Sequence, residues 1–215
     1  MTPENTIRIA LTKGRLEKKT LTLLEKAGYD VSELRTGSRK LIFQLPNSNI
    51  ELVLAKAADV ITYVEHGVCD MGVVGKDTIM EKGGTFYETL DLGFGACRFC
   101  LCSKAGTDFY DGYHTRTIAS KYPEVTRKFF ADKNMDVDII KIEGSVELAP
   151  LLELADAIVD IVETGTTLRE NGLEVVETVA SISARVIVNL ASMKMKKQQI
   201  QALTQQLQAG MEAVD

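Results

Sequence analysis

The sequence predicts an α/β fold built mainly on parallel sheets. Short apolar runs of strand length alternate with helix-periodic segments along almost the whole chain, and glycine- or proline-containing turns separate the two. Composition agrees: 215 residues, 45 % hydrophobic and 26 % charged, argue against disorder and suffice to bury a core. A net charge of −5 with scattered cations is a poor match to general nucleic-acid binding. Met1-Thr2-Pro3-Glu4-Asn5 carries no basic region, and the apolar run Ile7 to Leu11 is too short for a signal peptide. No stretch approaches the ~18 apolar residues of a membrane span. The expectation is a soluble cytoplasmic protein whose Cys69, Cys97, Cys100 and Cys102 are reduced, structural thiols.

The elements follow in order. Ile7 to Thr12 reads as a strand, and Leu16, Leu23, Leu24 and Ala27 then fall on one helical face closed by Gly28. Leu41 to Leu45 and Ile50 to Leu54 read as strands around the turn Pro46-Asn47-Ser48-Asn49. Ala58 to His66 is a helix with Val60, Ile61 and Val64 inward, and His66 interacts with its last carbonyls. Met71 to Val74 is a buried strand, with a short helix after Gly75-Lys76-Asp77. Leu90 to Ser103 reads as one or two strands, and Arg116 to Ser120 as another. Pro123 suits the first turn of a helix reaching about Lys133. Val137 to Ile142 and Ala157 to Val162 are strands flanking a helix over Val146 to Leu154. Val175 to Ile182 and Arg185 to Leu190 are strands before a final helix striped by Ile200, Leu203, Leu207, Met211 and Val214. The loop Lys104 to Thr115 is the expected domain crossing, with a return between Leu173 and Ala184. Domain I would then hold residues 1–104 and 184–215, and domain II residues 105–183.

The segment Ala157 to Gly172 carries the most chemistry. A buried strand with Asp160 and Glu163 near its end meets the small-residue turn Thr164-Gly165-Thr166-Thr167 and a helix start. Hydroxyls and free N–H groups of such a start suit an anion, while the carboxylates suit sugar hydroxyls. Together they suit a sugar phosphate such as the ribose 5-phosphate of phosphoribosyl pyrophosphate. The same threonines also read as a plain helix cap. Lys13-Gly14-Arg15 follows the first strand, at the edge where α/β sheets bind ligands, and could hold a polyphosphate or be solvated cations. Ser38-Arg39-Lys40 is a weaker signal of that kind. Val74-Gly75-Lys76-Asp77 lacks the upstream glycine of a P-loop, and no strand leads into G-x-G-x-x-G, so a dinucleotide cofactor is not expected. No Ser or Cys pairs with a His, which argues against acyl transfer.

Several segments in order resemble the ATP phosphoribosyltransferase family. They are Leu11-Thr12-Lys13-Gly14-Arg15-Leu16, Ser38-Arg39-Lys40-Leu41-Ile42-Phe43, Ala58-Asp59-Val60, Tyr63-Val64-Glu65-His66-Gly67 and Asp70-Met71-Gly72-Val73-Val74-Gly75-Lys76-Asp77. They continue as Ala119-Ser120-Lys121-Tyr122-Pro123, Gly144-Ser145-Val146-Glu147-Leu148-Ala149-Pro150 and Glu163-Thr164-Gly165-Thr166-Thr167-Leu168-Arg169-Glu170-Asn171-Gly172-Leu173. Ile61 departs from the pattern, standing where relatives commonly carry proline.

The resemblance implies two α/β domains of the periplasmic-binding-protein type (type II) over a cleft. It implies transfer of the phosphoribosyl group of phosphoribosyl pyrophosphate to N1 of ATP, the first step of histidine biosynthesis. Arg15 and Arg39 would be the catalytic pair that stabilises the leaving pyrophosphate. Lys13, Gly14, Lys56, Asp77, Tyr122, Glu147, Asp160, Glu163, Thr164, Gly165, Thr166, Thr167 and Leu168 would bind substrate. Magnesium would ride on the substrate phosphates, with no protein ligand named. After Leu190 about 25 residues remain, too few for the histidine-binding third domain of longer members. The short form is therefore expected, as dimers within a hetero-oligomer containing a regulatory subunit similar to a histidyl-tRNA synthetase. Two alternatives remain: a small-anion binding protein of the same fold, and a salvage phosphoribosyltransferase, whose paired acidic residues are typically adjacent.

Overall fold

The structure, a computed structural model, describes residues 6–212. It divides into two compact units, one running to Gly95 and resuming at Ser183, the other spanning Ala96–Ile182.

The first unit is wound around β1 (Ile7–Thr12), β3 (Ile50–Ala55) and β4 (Met71–Gly75), which pair in parallel with β1 central. β2 (Ile42–Gln44) adds an antiparallel edge to β3. β11 (Ala184–Val188) pairs antiparallel with β4, and β5 (Tyr87–Asp91) antiparallel with β11. The sheet order is therefore β2-β3-β1-β4-β11-β5. Alternating side chains on β1 divide between two cores. Ile7, Ile9 and Leu11 pack with Leu21, Leu23 and Leu24 of α1 (Arg15–Lys26) and with Ile200, Leu203 and Leu207 of α8 (Lys197–Glu212). Ala10 faces the other core, with Val60, Ile61 and Val64 of α2 (Ala57–Glu65). The C-terminal stripe thus covers its own unit; its last predicted member, Val214, lies outside the described residues.

The second unit has sheet order β10-β6-β9-β7-β8, from β6 (Cys97–Lys104), β7 (Arg116–Ser120), β8 (Val137–Lys141), β9 (Ala157–Val162) and β10 (Leu173–Ile182). β9, β7 and β8 are parallel, and β6 and β10 complete an antiparallel side. α4 (Pro123–Asp132) packs on β7 and β8. α5 (Leu148–Leu151) and α6 (Thr166–Glu170) cover a core containing Cys100, Cys102, Ile158, Val162 and Leu168.

Several expectations shift. The run Leu90 to Ser103 is two strands in different sheets, because Gly93 and Gly95 (φ 68° and 66°) turn the chain between them. The first crossing therefore falls at Gly95–Ala96, earlier than the 104/105 boundary. The loop 105–115 is instead a folded excursion of the second unit, tied to β10 by the Tyr110 hydroxyl donating to Glu177 Oε2 at 2.6 Å. The helix expected over Val146 to Leu154 is a single turn, bounded by Ser145 and Glu153 at φ 48° and 59°. The final helix is preceded by α7 (Leu190–Met195), whose start is capped by Asn189 Oδ1 accepting from the N–H groups of Ala191 and Ser192. All four cysteines are free thiols.

Candidate functional site

In the second unit, parallel β9 delivers its carboxyl end to a cavity of about 210 Å3 lined by Glu147, Asp160, Ile161, Val162 and the turn Glu163 to Leu168. Strand order places this edge at a switch point, because the chain leaves β7 toward β8 and leaves the adjacent β9 in the other direction, toward β10. Such a switch point leaves room outside the strand ends. Asp160 sits on β9 opposite Cys100. Burial pushes its carboxyl above the ordinary range; the Ile161 N–H and the Lys121 ammonium oppose this, and the Glu147 carboxylate reinforces it.

The turn is pre-shaped. Gly165 is left-handed at φ +73°, a conformation that L side chains rarely adopt, and a Cβ there would stand 3.3 Å from Arg169 Nη1. Thr164 and Thr166 bring their Oγ1 atoms to 3.1 Å. Arg169 folds back over the turn, donating from Nη1 to the Thr164 carbonyl and from Nη2 to Thr166 Oγ1, both at 3.3 Å. Leu168 is 5 % exposed and packs in the core, so only its backbone faces the turn. Glu163, Thr164, Thr166 and Thr167 are exposed.

Tyr122 follows β7 at the head of α4 and does not line this cavity. Its ring stands edge-on to buried Phe99 at 4.8 Å, and its N–H donates to Ser120 Oγ at 2.9 Å. Ser120 Oγ in turn donates to the Val159 carbonyl at 2.6 Å, tying β7 to β9 beneath the turn.

In the first unit, the carboxyl ends of β1, β3 and β4 carry the other candidates. Lys13 and Arg15 are exposed, and the Lys13 N–H donates to the Ala55 carbonyl at 2.9 Å. Gly14 takes φ 98°, and its N–H donates to Glu17 Oε2 at 3.1 Å, closing the first turn of α1. Lys56 is extended at the head of α2. Gly75 precedes Asp77 at the head of α3 (Lys76–Lys82); a Cβ at Gly75 would lie 2.0 Å from Asp77 Oδ1, so the carboxylate occupies the space a side chain would need. Arg39 is exposed just before β2. β2 runs antiparallel to β3 and the Leu54 N–H donates to the Leu41 carbonyl at 2.8 Å, so Arg39 stands at the same sheet edge.

Each unit therefore gathers its share of the predicted residues at the carboxyl edge of its own parallel strands. Sequence reasoning missed Arg169 and Lys121 as parts of the second unit's site. For Arg169 the signal was its position three residues after Thr166 on a helix, which places the two side chains on one face.

A model of the family "HisG: ATP phosphoribosyltransferase" matches residues 56–209. The ATP phosphoribosyltransferase of Clostridium kluyveri is 56% identical over 215 residues, covering 100% of this chain and 98% of that protein. The solved ATP phosphoribosyl transferase (HisG:HisZ) complex of Thermotoga maritima contains a chain 33% identical to this one, with TM-score 0.82, covering 97% of this chain and 100% of that one. The periplasmic aliphatic sulphonate binding protein SsuA of Escherichia coli shares the fold at TM-score 0.61 and 11% identity, covering 97% of this chain and 73% of its own. On the family match and the full-length identity, the chain belongs to the ATP phosphoribosyltransferase family, transferases of the first step of histidine biosynthesis.

Proposed function

We propose that this chain transfers the phosphoribosyl group of phosphoribosyl pyrophosphate to N1 of ATP and releases pyrophosphate. The observation that carries the reading is the convergence of Glu147, Asp160 and the Glu163–Leu168 turn on one cavity of about 210 Å3. The 5-phosphate takes the hydroxyls and backbone of Thr164, Gly165, Thr166, Thr167 and Leu168, while Asp160 and Glu163 accept from the ribose hydroxyls. Lys13, Gly14, Arg15 and Arg39 serve the polyphosphate, with Arg15 and Arg39 stabilising charge as pyrophosphate leaves. Lys56, Asp77, Tyr122 and Glu147 complete the substrate contacts. N1 of adenine already carries a lone pair, so the chain's work is alignment and charge stabilisation, without a general base.

Glu147 and Asp160 offer hard oxygen donors beside the turn, a set compatible with magnesium that keeps waters and rides on substrate phosphates. Because the substrate phosphates would carry the ion, no protein ligand is assigned. When bound, magnesium neutralises charge on the departing pyrophosphate.

The chain acts in the cytoplasm, as dimers within a hetero-oligomer, and histidine acts on it only through a regulatory subunit similar to a histidyl-tRNA synthetase. The complex that contains the Thermotoga maritima relative supports the partner; among the described residues no helix is long and apolar enough to cross a membrane.

Calorimetric titration of the wild type and Gly165→Val with phosphoribosyl pyrophosphate and with ATP tests the reading. Valine at φ +73° must reshape the turn, so phosphoribosyl pyrophosphate affinity should fall by about tenfold or more, on the order of 1.4 kcal/mol, with ATP affinity little changed. If both affinities are unaltered in a variant shown to be folded, the Thr164–Thr167 turn is only a helix cap.

A further inference from the structure

We infer that the cavity of about 670 Å3 on the first unit, between α1, the end of α8 and the Leu92–Phe94 turn, is an effector site for a small amphiphilic anion. Its volume is typical of small-molecule sites, and it contains none of the residues assigned to substrate. Leu23, Phe94 and Met211 supply apolar surface. Lys18, Lys19 and Lys26, all from α1, line the same cavity, and none of the three ammoniums is in an ion pair among the described residues. The Lys19 ammonium stands 6.0 Å from the centroid of the Phe94 ring. An apolar floor gives a purely polar anion little, and three cations without an ion-pair partner among the described residues give a neutral hydrocarbon little. An apolar or aromatic body with an acidic group satisfies both, and it does so on a chain whose net charge of −5 otherwise repels anions.

The walls are held. A Cβ on Gly210 would lie 3.0 Å from Leu23 Cδ1 and 3.4 Å from the Leu23 carbonyl oxygen, so α8 and α1 are in close contact there. The Phe94 carbonyl accepts from the Ala184 N–H at 3.0 Å, and Asp91 Oδ1 accepts from the Gly93 N–H at 2.9 Å. The same elements reach the Lys13-Gly14-Arg15 turn proposed to meet the polyphosphate. α1 begins at Arg15, and Leu16 Cδ2 lies 3.0 Å from where a Cβ on Gly95 would be. A ligand that displaces Phe94 or α1 is therefore felt at Arg15. This effector half rests on the proposed transferase reading; the binding half does not.

The test uses the fluorescent aromatic sulfonate 8-anilinonaphthalene-1-sulfonate on the full chain. Saturable binding at one site is expected, weakened on the order of tenfold in Lys18→Glu and Lys26→Glu variants of unchanged thermal midpoint. Neither ATP nor phosphoribosyl pyrophosphate should displace the probe, and saturating probe should change kcat without changing either KM in the wild type alone. Wild-type affinity in both variants, displacement by either substrate, or binding with no effect on kcat overturns the inference. So does binding that appears only in a variant lacking residues 213–215, since the chain's own end would then fill the cavity. A wild type that binds the probe at this site but has no transferase activity overturns the functional reading and with it the effector half, while the binding half stands.

Discussion

At the scale of single residues, groups that hold substrate are distinct from groups that meet charge as it develops. Arg15 and Arg39 are exposed at one sheet edge of the first unit, and their proposed role is to strengthen contacts as pyrophosphate departs. Arg15→Ala and Arg39→Ala should each lower kcat on the order of 10²-fold, with a smaller rise in KM. Steady-state kinetics with both substrates varied checks this, and near-normal kcat in both removes the pair from the mechanism. Asp160, proposed to accept from the ribose hydroxyls, sits buried at a cost to stability. Its carboxyl is pushed up chiefly by burial, so the native state binds a proton more tightly than the unfolded state. Stability therefore falls as pH rises from the ordinary carboxylate range through the raised folded-state pKa. Asp160→Asn should raise the thermal midpoint increasingly as pH climbs above the ordinary carboxylate range, and weaken phosphoribosyl pyrophosphate binding. Thermal melts between pH 4 and pH 8 check the sign: the gap between variant and wild type should widen with pH, and a constant gap contradicts burial of an ionised carboxylate as its cause. Arg169 was the residue least visible in the sequence. A surface arginine after a cap is unremarkable until the backbone folds it over Thr164 and Thr166.

At the scale of elements, what was legible depended on which force sets the boundary. β1, β4 and β9 are mostly buried apolar runs, with β1 and β9 leading into turns at Gly14 and Gly165 and β4 ending on Gly75, and apolar continuity alone marks them. Boundaries set by backbone conformation were harder to read. Gly93 and Gly95 cut one apolar stretch into β5 and β6, although two glycines two residues apart were a usable sign. Ser145 and Glu153 adopt left-handed conformations that neither residue type advertises, and they shorten α5 to one turn. Asn189 ends β11 and starts α7 at once. Its Oδ1 accepts from two N–H groups of α7, and its Nδ2 donates to the Val64 carbonyl at 2.8 Å, fastening the C-terminal helices to α2. Asn189→Ala removes the cap and the Nδ2 bond, while the Val64 carbonyl keeps the Gly67 N–H at 3.1 Å, so it should cost roughly 1–2 kcal/mol. Urea unfolding followed by circular dichroism measures it, and a loss below about 0.5 kcal/mol would mean solvent takes over these bonds.

At the scale of the whole molecule, both units repeat one device: parallel strands end in turns that open helices, and ligand-competent groups collect at those ends. Periodicity predicted the alternation and the resemblance predicted two units. The placement of β6 in the second sheet, which moves the crossing to Gly95–Ala96, follows from pairing with β9 and β10 and has no local signature. The central claim is that this architecture performs a transfer in which pyrophosphate leaves and N1 of ATP takes its place. The most direct measurement is turnover of the purified chain, with and without the proposed regulatory subunit, on ATP, phosphoribosyl pyrophosphate and magnesium, with free purine bases as competitors. Phosphoribosyl-ATP and pyrophosphate should form in equal amounts, undiminished by free bases. Binding of both substrates without pyrophosphate release, or preferential consumption of a free base, would contradict the claim.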